Sequence, residues 1–440
     1  MKENIDRRDF VKTVGSAAAG VLVAGSLPVT ARPNARRRYA IVGTGHRATG
    51  MWGKDVAERY SAELEFVGLC DKNSKRAEAG RKLIGVECPT FTNFDEMLEK
   101  SKPDVVMVTT MDSTHHMFIT RALEKGIDVI TEKPMVTQAV DCQAVLDAEK
   151  KYNRNITVAF NYRYAPKHEK IKQIIQSGEI GRVTSVDFSW YLDTSHGADY
   201  FRRWHRLKSG GGSLWVHKAT HHFDLVNWWL AADPVEVSAY GALNVYGKNG
   251  TFRGTNCRTC PHKAKCPFYW DMTKDARLMK LYAECEDVDG YYRDGCVFRE
   301  DVDIYDTMSA VVKYSTGVSM SYSLNASMPI EGYRIAFNGT KGRLEVRDYE
   351  RQPWKVEKES TAFLTRNFGK HEELDMPQTE GGHGGGDDRL RDVIFKNAQV
   401  ADYLKLPSAR AGAMSCMTGI AARTSIEQNR PVKISDLVRL

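Results

Sequence analysis

Between positions 39 and 160 the apolar residues fall into short, nearly unbroken runs, at 39–42, 64–69, 104–109, 128–131 and 158–160. Runs without polar alternation are the mark of strands buried on both faces, as in a parallel sheet. The stretch 118–125 between two of them reads as a helix and closes on Gly126, a residue suited to the left-handed turn after a helix. Glu132-Lys133-Pro134 opens another helix, with the proline near its first turn. Strand and helix thus alternate over short connections, which predicts a doubly wound sheet with ligands at the carboxyl ends of its strands. In the second half, apolar positions recur with helical spacing from Ala219 to Leu230. Extending that helix back to residue 213 puts His217, His221 and Asp224 at i, i+4 and i+7, on one face.

The turn after the first strand carries chemistry. Gly43, Gly45 and Ala48, with His46 and Arg47 between them, fit the G-x-G-x-x-G/A spacing. The first glycine permits a tight turn, the second lets backbone approach a pyrophosphate, and the third small residue packs helix on strand. The second strand ends at Cys70-Asp71. A carboxylate there bonds the adenosine ribose hydroxyls and repels a 2′-phosphate, so the pattern predicts NAD. Lys72, Lys75 and Arg76 leave NADP as the lesser alternative.

A chain of 440 residues exceeds what one core usually holds. The expected division is a dinucleotide-binding domain over 36–160 and a substrate-binding and oligomerisation domain over 161–440. A hydrophobic share of 42% with 27% charged residues excludes a mainly disordered chain and a multi-span membrane protein. The formal charge of +7 is small for this length, and Arg32 with Arg36 to Arg38 supplies four of the positive charges, so a nucleic-acid partner is not expected. Residues 1–31 hold Arg7-Arg8, a weakly apolar run over 14–29 and Val29-Thr30-Ala31. This resembles a twin-arginine export signal, which predicts a periplasmic protein. The run is too short and glycine-rich to span a membrane.

Gly43-x-Gly45, Cys70-Asp71, Asp112-Ser113-Thr114-His115, Glu132-Lys133-Pro134 and Asn161-Tyr162-Arg163 together resemble the Gfo/Idh/MocA oxidoreductases. Gly210-Gly211-Gly212, Thr220-His221-His222 and the terminal helix before Pro431-Val432 continue the likeness. The resemblance implies an N-terminal Rossmann domain, a C-terminal α/β domain with a large, mainly antiparallel sheet, and homo-oligomers formed through that sheet. It implies that Lys133 lies near the nicotinamide and the substrate hydroxyl, and that Asp112, His115, Glu132 and Asn161 line the cofactor. His221 matches the family's catalytic histidine, with Arg163, Lys218 and Thr220 expected on the substrate side. The family has an aspartate one turn before that histidine; here His217 stands in its place and is expected to join the catalytic group, tuning His221 or substituting for it.

Elementary chemistry supports a lysine and a histidine. Oxidising an alcohol sends a hydride to nicotinamide and a proton to a base, and a fixed ammonium eases the developing alkoxide. Two histidines one turn apart can also ligate zinc, or merely cap a core edge. Trp190, Trp204, Trp215, Trp228 and Trp229 crowd into forty residues. Trp228 and Trp229 read as core, whereas polar-flanked Trp204 suits a sugar face. The run 381–388 sets His383 and Asp387 among glycines just before a helix, as a linker or as a loop reaching into the cleft.

Five of the nine cysteines cluster in 257–296. Cys257-x2-Cys260-x5-Cys266, flanked by Pro261, His262 and Pro267, resembles a metal knuckle; with Cys296 it predicts a structural zinc. Disulfides are the rival in an exported chain. The segment 245–300 reads as an insertion. The combined expectation is a periplasmic NAD(H)-dependent oxidoreductase acting on a hydroxyl of a sugar or glycoside, with its cofactor held tightly. The alternatives are an NAD-dependent glycoside hydrolase working by transient oxidation and elimination, and a non-catalytic sugar-binding relative, against which the intact Glu132-Lys133-Pro134 argues.

Overall fold

The computed structural model describes residues 36–355, 357–378 and 380–440; the expected export signal lies outside the described residues. The first sheet has six strands among them: β1 (Arg37–Val42), β2 (Leu64–Cys70), β3 (Thr90–Phe91), β4 (Val105–Val108), β5 (Asp128–Thr131) and β6 (Ile156–Val158). All pairs are parallel, and the spatial order is β3-β2-β1-β4-β5-β6. The four residues of β4 are all buried, as an unbroken Val-Val-Met-Val run requires. Winding outward from β1 in one direction and then from β4 in the other opens a crevice at the carboxyl ends of these two strands.

Helices α1 (His46–Met51), α2 (Ser74–Ile84), α3 (His115–Glu124) and α4 (Ala139–Tyr152) connect these strands. Asn73 caps α2 by accepting from the Arg76 N–H. Pro134 does not open a helix as the sequence suggested; α4 begins at Ala139. The residue before a proline is pushed out of the helical region, so Glu132 and Lys133 continue as a loop across the end of β5.

The second sheet has nine strands among the described residues, in the order β14-β13-β12-β11-β7-β10-β9-β8-β15. They are β7 (Val183–Asp193), β8 (Pro234–Ala242), β9 (Thr307–Tyr314), β10 (Ser319–Met328), β11 (Glu331–Gly339), β12 (Gly342–Arg351), β13 (Ser360–Arg366), β14 (His371–Leu374) and β15 (Val432–Lys433). Only β7 and β10 pair in parallel, so the sheet is mixed and mostly antiparallel. Alternate residues of β9 are buried and exposed, which leaves one face of this sheet open to water.

The other face carries α5 (Leu214–His217), α6 (Ala219–Leu230) and the long, buried α9 (Ala409–Gln428). A Cβ on Gly419 of α9 would stand 2.3 Å from the Trp215 carbonyl oxygen, so only glycine permits this approach. The single helix expected from 213 is broken: α5 ends at His217, and α6 begins after Lys218. His217 and His221 therefore belong to different helices. The segment between β8 and β9 is the expected insertion, made of short turns and α7 (Ala276–Leu281). It folds back onto α1 and α2 of the first sheet's layer. Last, α8 (Gly386–Lys396) follows the glycine-rich run.

Candidate active site

A cavity of about 1030 Å³ opens along the carboxyl ends of the first sheet and continues toward α5 and α6. At its nucleotide end Gly43 adopts a φ of 88°, and a Cβ there would come within 2.7 Å of the Thr110 nitrogen. No other residue fits that turn. Asp71 is 7% exposed and accepts from the backbone N–H groups of Thr44 and Asn73, both at 2.9 Å, and from Arg76 Nη1 at 3.3 Å. Arg76 also pairs with Asp289 at 2.8 Å, and Lys75 with Asp287 at 2.6 Å. Two of the three cations that kept NADP open are thus bound to carboxylates of the insertion, and the acid at the end of β2 stands as the NAD pattern requires. Cavity volume, glycine turn and acid all fit a dinucleotide.

The insertion closes over this end. Tyr282 Oη accepts the His46 N–H at 2.9 Å, at the start of α1. Arg277 Nη2 donates to the His46 carbonyl at 2.9 Å and to Thr49 Oγ1 at 2.7 Å. Asn73 Nδ2 reaches the Cys285 carbonyl at 2.8 Å. Tyr282, Asp289 and Tyr291 line the cavity with Gly43 and Gly45. Nothing in the sequence signalled this, because the contacts join positions more than 200 residues apart without any shared motif.

At the far end, Glu132 Oε1 accepts from Arg47 Nε at 2.6 Å and from Trp52 Nε1 at 2.8 Å, which fixes the start of the Lys133 loop. His115, with its ring nitrogens 2.8 Å from the Pro134 carbonyl and 3.1 Å from that of Thr110, braces the same loop. Lys133 Nζ donates to the His217 carbonyl at 2.9 Å. Burial lowers its pKa to about 7, with Asp112 opposing the shift and Lys218 adding to it. His217 Nδ1 lies 2.5 Å from Asp112 Oδ2, and burial raises the Asp112 carboxyl well above its usual range.

His221 stacks on Tyr162 with ring centroids 4.5 Å apart, and its buried Nδ1 has no hydrogen-bond partner. Burial, reinforced by Lys133, holds its pKa well below the ordinary imidazole value, so the ring is neutral and free to accept a proton. His383 faces it from the glycine-rich loop at 5.8 Å, held by Asn161 Nδ2 and the Asp387 carboxylate.

Of the residues singled out from the sequence, the cavity brings together Gly43, Gly45, His46, Arg47, Asp71, Asp112, His115, Glu132 and Lys133 with His217, Lys218, His221, Trp204 and His383. Asn161 and Asp387 stand behind His383. Arg163 does not face the cavity: it forms a two-pronged ion pair with buried Asp224, at 2.7 and 2.5 Å. Thr220 is fully buried, 2.7 Å from Ser415 Oγ on α9. Arg203, His205 and Tyr162, to which the sequence assigned no role, also line the cavity. The first two flank Trp204 directly.

The zinc expectation needs correction. Cys257, Cys260, Cys266 and Cys296 border one small cavity, but no three of their sulfurs approach within 4.8 Å of one another. A Zn–S bond of about 2.3 Å requires sulfurs roughly 3.8 Å apart. The buried Arg202 side chain enters instead and donates to Cys257 Sγ at 3.1 Å. These sulfurs are not bridged as disulfides either. Among the described residues, the group whose ligand atoms do lie within 4.8 Å of one another is Asp112, His205 and His217. The positive charges of Lys133 and Arg203, which act on both Asp112 and the histidines, disfavour a cation there.

One end of the cavity thus has the shape and groups that suit a dinucleotide, and the other holds a lysine and a neutral histidine, the arrangement of a nicotinamide-dependent oxidoreductase. The chain belongs to the Gfo/Idh/MocA oxidoreductase family and carries its NAD-binding domain. The family's NAD-binding Rossmann-fold model matches residues 37–160, and its C-terminal alpha/beta domain model matches 172–434. The Bacillus subtilis protein YteT is 42% identical over 425 residues, 92% of this chain and 99% of that protein. Inositol 2-dehydrogenase of Salmonella typhimurium is 28% identical over 195 residues, 43% of this chain, and the match spans 55% of that enzyme. The WlbA dehydrogenase from Bordetella pertussis, solved in complex with NADH and UDP-GlcNAcA, superimposes with a TM-score of 0.63 at 17% identity, over 91% of this chain and 99% of that one. At that identity the likeness is one of fold.

Proposed function

We propose that the protein oxidises a hydroxyl of a sugar or glycoside with an NAD that it retains between turnovers, in the periplasm. The observation that carries this reading is the insertion, whose Tyr282 and Arg277 bond to the turn that opens α1 and whose Asp289 engages Arg76 beside Asp71. A cofactor beneath it leaves only after those contacts open. Retention suits an exported enzyme, because little free nicotinamide circulates outside the cytoplasm. The inositol dehydrogenase relative, which acts on a polyol by its name, supports the substrate class.

Bound NAD supplies the hydride acceptor. Lys133 polarises the reacting hydroxyl and offsets the developing alkoxide, and neutral His221 takes the proton. Asp112 fixes the ring of His217, whose carbonyl in turn holds Lys133 Nζ. Trp204, stacked on His205 with ring centroids 3.5 Å apart, offers a flat wall for a sugar ring. The chain works as a homo-oligomer packed through the open face of the second sheet. A second reading, NAD-dependent glycoside hydrolysis, draws on the Asp112–His217 pair, because elimination after oxidation needs another acid or base at the same site.

Two measurements test this. Nucleotide extracted from denatured, as-purified protein should be NAD(H) at close to one per chain. Empty protein, or a 2′-phosphorylated nucleotide as the main species, refutes the retention and cofactor assignments. Sugars added to that protein should reduce the bound NAD, seen by absorbance. Phenol released from nitrophenyl glycosides without added NAD selects the hydrolase instead.

A further inference from the structure

The break between α5 and α6 places Lys218 in the cavity wall, 5% exposed. Its Nζ lies 5.0 Å from the Trp190 ring centroid and 5.8 Å from that of Tyr162, and it makes no hydrogen bond. Among the described residues neither Lys218 nor Lys133 forms an ion pair with a carboxylate, and Lys133 Nζ is satisfied only by a backbone carbonyl. Two carboxylates act on Lys218 through space: Glu350, which also lines the cavity, stands beyond ion-pair distance of it, and Glu331 is spent on other partners. Glu331 is bonded by His196 at 2.9 Å and by the Asp193 N–H at 2.7 Å, while Asp199 pairs with Arg203 and Arg293. The histidines of this wall are held neutral by burial and supply no negative charge.

A buried ammonium without a counter-charge is costly, and proteins keep such groups paired. The two aromatic faces offset part of that cost for Lys218, but they leave its N–H donors without acceptors. The group that would satisfy them must arrive with the substrate. We infer that the substrate is a carboxylate-bearing sugar, a uronic acid or its glycoside, whose carboxylate seats on Lys218 while the ring hydroxyl to be oxidised faces Lys133. This inference rests on the sugar reading above and narrows it. Lys133 must remain free for the reacting oxygen, so Lys218 is the anchor.

The test uses matched pairs that differ only at C6: methyl glucuronide against methyl glucoside, and methyl galacturonide against methyl galactoside. Calorimetric titration into NAD-loaded wild-type protein should give, in at least one pair, about 30-fold or tighter binding of the acid. Lys218→Gln should shrink that ratio to near one, and Lys218→Arg should restore much of it. Equal binding within both pairs, or no binding of either acid, overturns the inference without recourse to a variant. So does a Lys218→Gln protein that loses acid and neutral sugar in proportion. The two readings fail separately. An acid that binds through Lys218 and leaves the bound NAD unreduced defeats the oxidation proposed above while upholding the anchor. A neutral sugar oxidised as well as its acid does the reverse.

Discussion

In the proposed reaction Lys133 and His221 divide the proton chemistry, because burial acts on them with different consequences. A lysine whose pKa falls to about 7 is charged below that pH and neutral above it. If its charge is what stabilises the alkoxide, reduction of bound NAD slows as pH rises through about 7. His221, with its pKa held well below the ordinary value of about 6.5, imposes no loss on the acid side until far lower pH. The expected profile of kcat is therefore high on the acid side of neutrality and falls on the alkaline side, measured with a saturating sugar by stopped-flow absorbance. A rate that rises with the same inflection would make the neutral Lys133 amine the base. Lys133→Met should lower turnover about 10²- to 10³-fold while changing NAD content far less, because the lost charge counts mainly as alkoxide develops. His221→Ala should cost about 10²- to 10⁴-fold. His217 sits on another helix with its Nδ1 held by Asp112, so Nε2 is the ring nitrogen left to it, and the His217→Ala, His221→Ala double variant should lose more than His221→Ala if it substitutes.

Among elements, the sequence was most legible where local rules decide the structure. The parallel strands are unbroken apolar runs, and Gly43, Gly45 and Asp71 follow from the needs of a turn, a pyrophosphate and a ribose. The helical spacing begins at Ala219, and its extension back to residue 213 had no signal of its own, so the break that separates His217 from His221 could not be read from it. Ser213, with a φ of 81°, begins α5 in a conformation no periodicity announces. The cysteine spacing matched a metal knuckle, but Arg202, far away in sequence, donates to Cys257 Sγ and shares the small cavity that the cysteines border. The same limit hid the return of the insertion to α1, and here a prediction belongs. Tyr282→Phe combined with Arg277→Ala removes three hydrogen bonds to the α1 segment, each worth about 1 kcal/mol. NAD should then leave about 30- to 150-fold faster, followed as loss of bound nucleotide during dilution. Tighter retention in the variant would mean that Tyr282 competes with the cofactor for the His46 N–H.

At the scale of the whole molecule, the open face of the nine-stranded sheet sets the last expectation. On β8 and β9 the outward positions include Tyr240, 72% exposed, and Val311, 54% exposed, beside small Ser309 and Thr307. Tyr240 is directly paired with Ser309, and Ser238 with Val311, so the two large side chains stand one pair apart on the same surface. An exposed aromatic and an exposed valine among small hydroxylated residues make a partly apolar patch against which a second such sheet can pack, about 10 Å away. A stable association needs about 800 Å² from each partner, which a face of this breadth can supply. Tyr240→Asp with Val311→Asp puts two like charges at that contact, where each would lie close to its own copy across a two-fold axis. Both side chains point away from the core, so the fold should lose little. Light scattering behind a sizing column should therefore show the mass falling to that of one chain while thermal unfolding stays cooperative. A wild-type protein that already runs as a single chain, or a variant that keeps the larger mass, would place the self-association elsewhere or remove it.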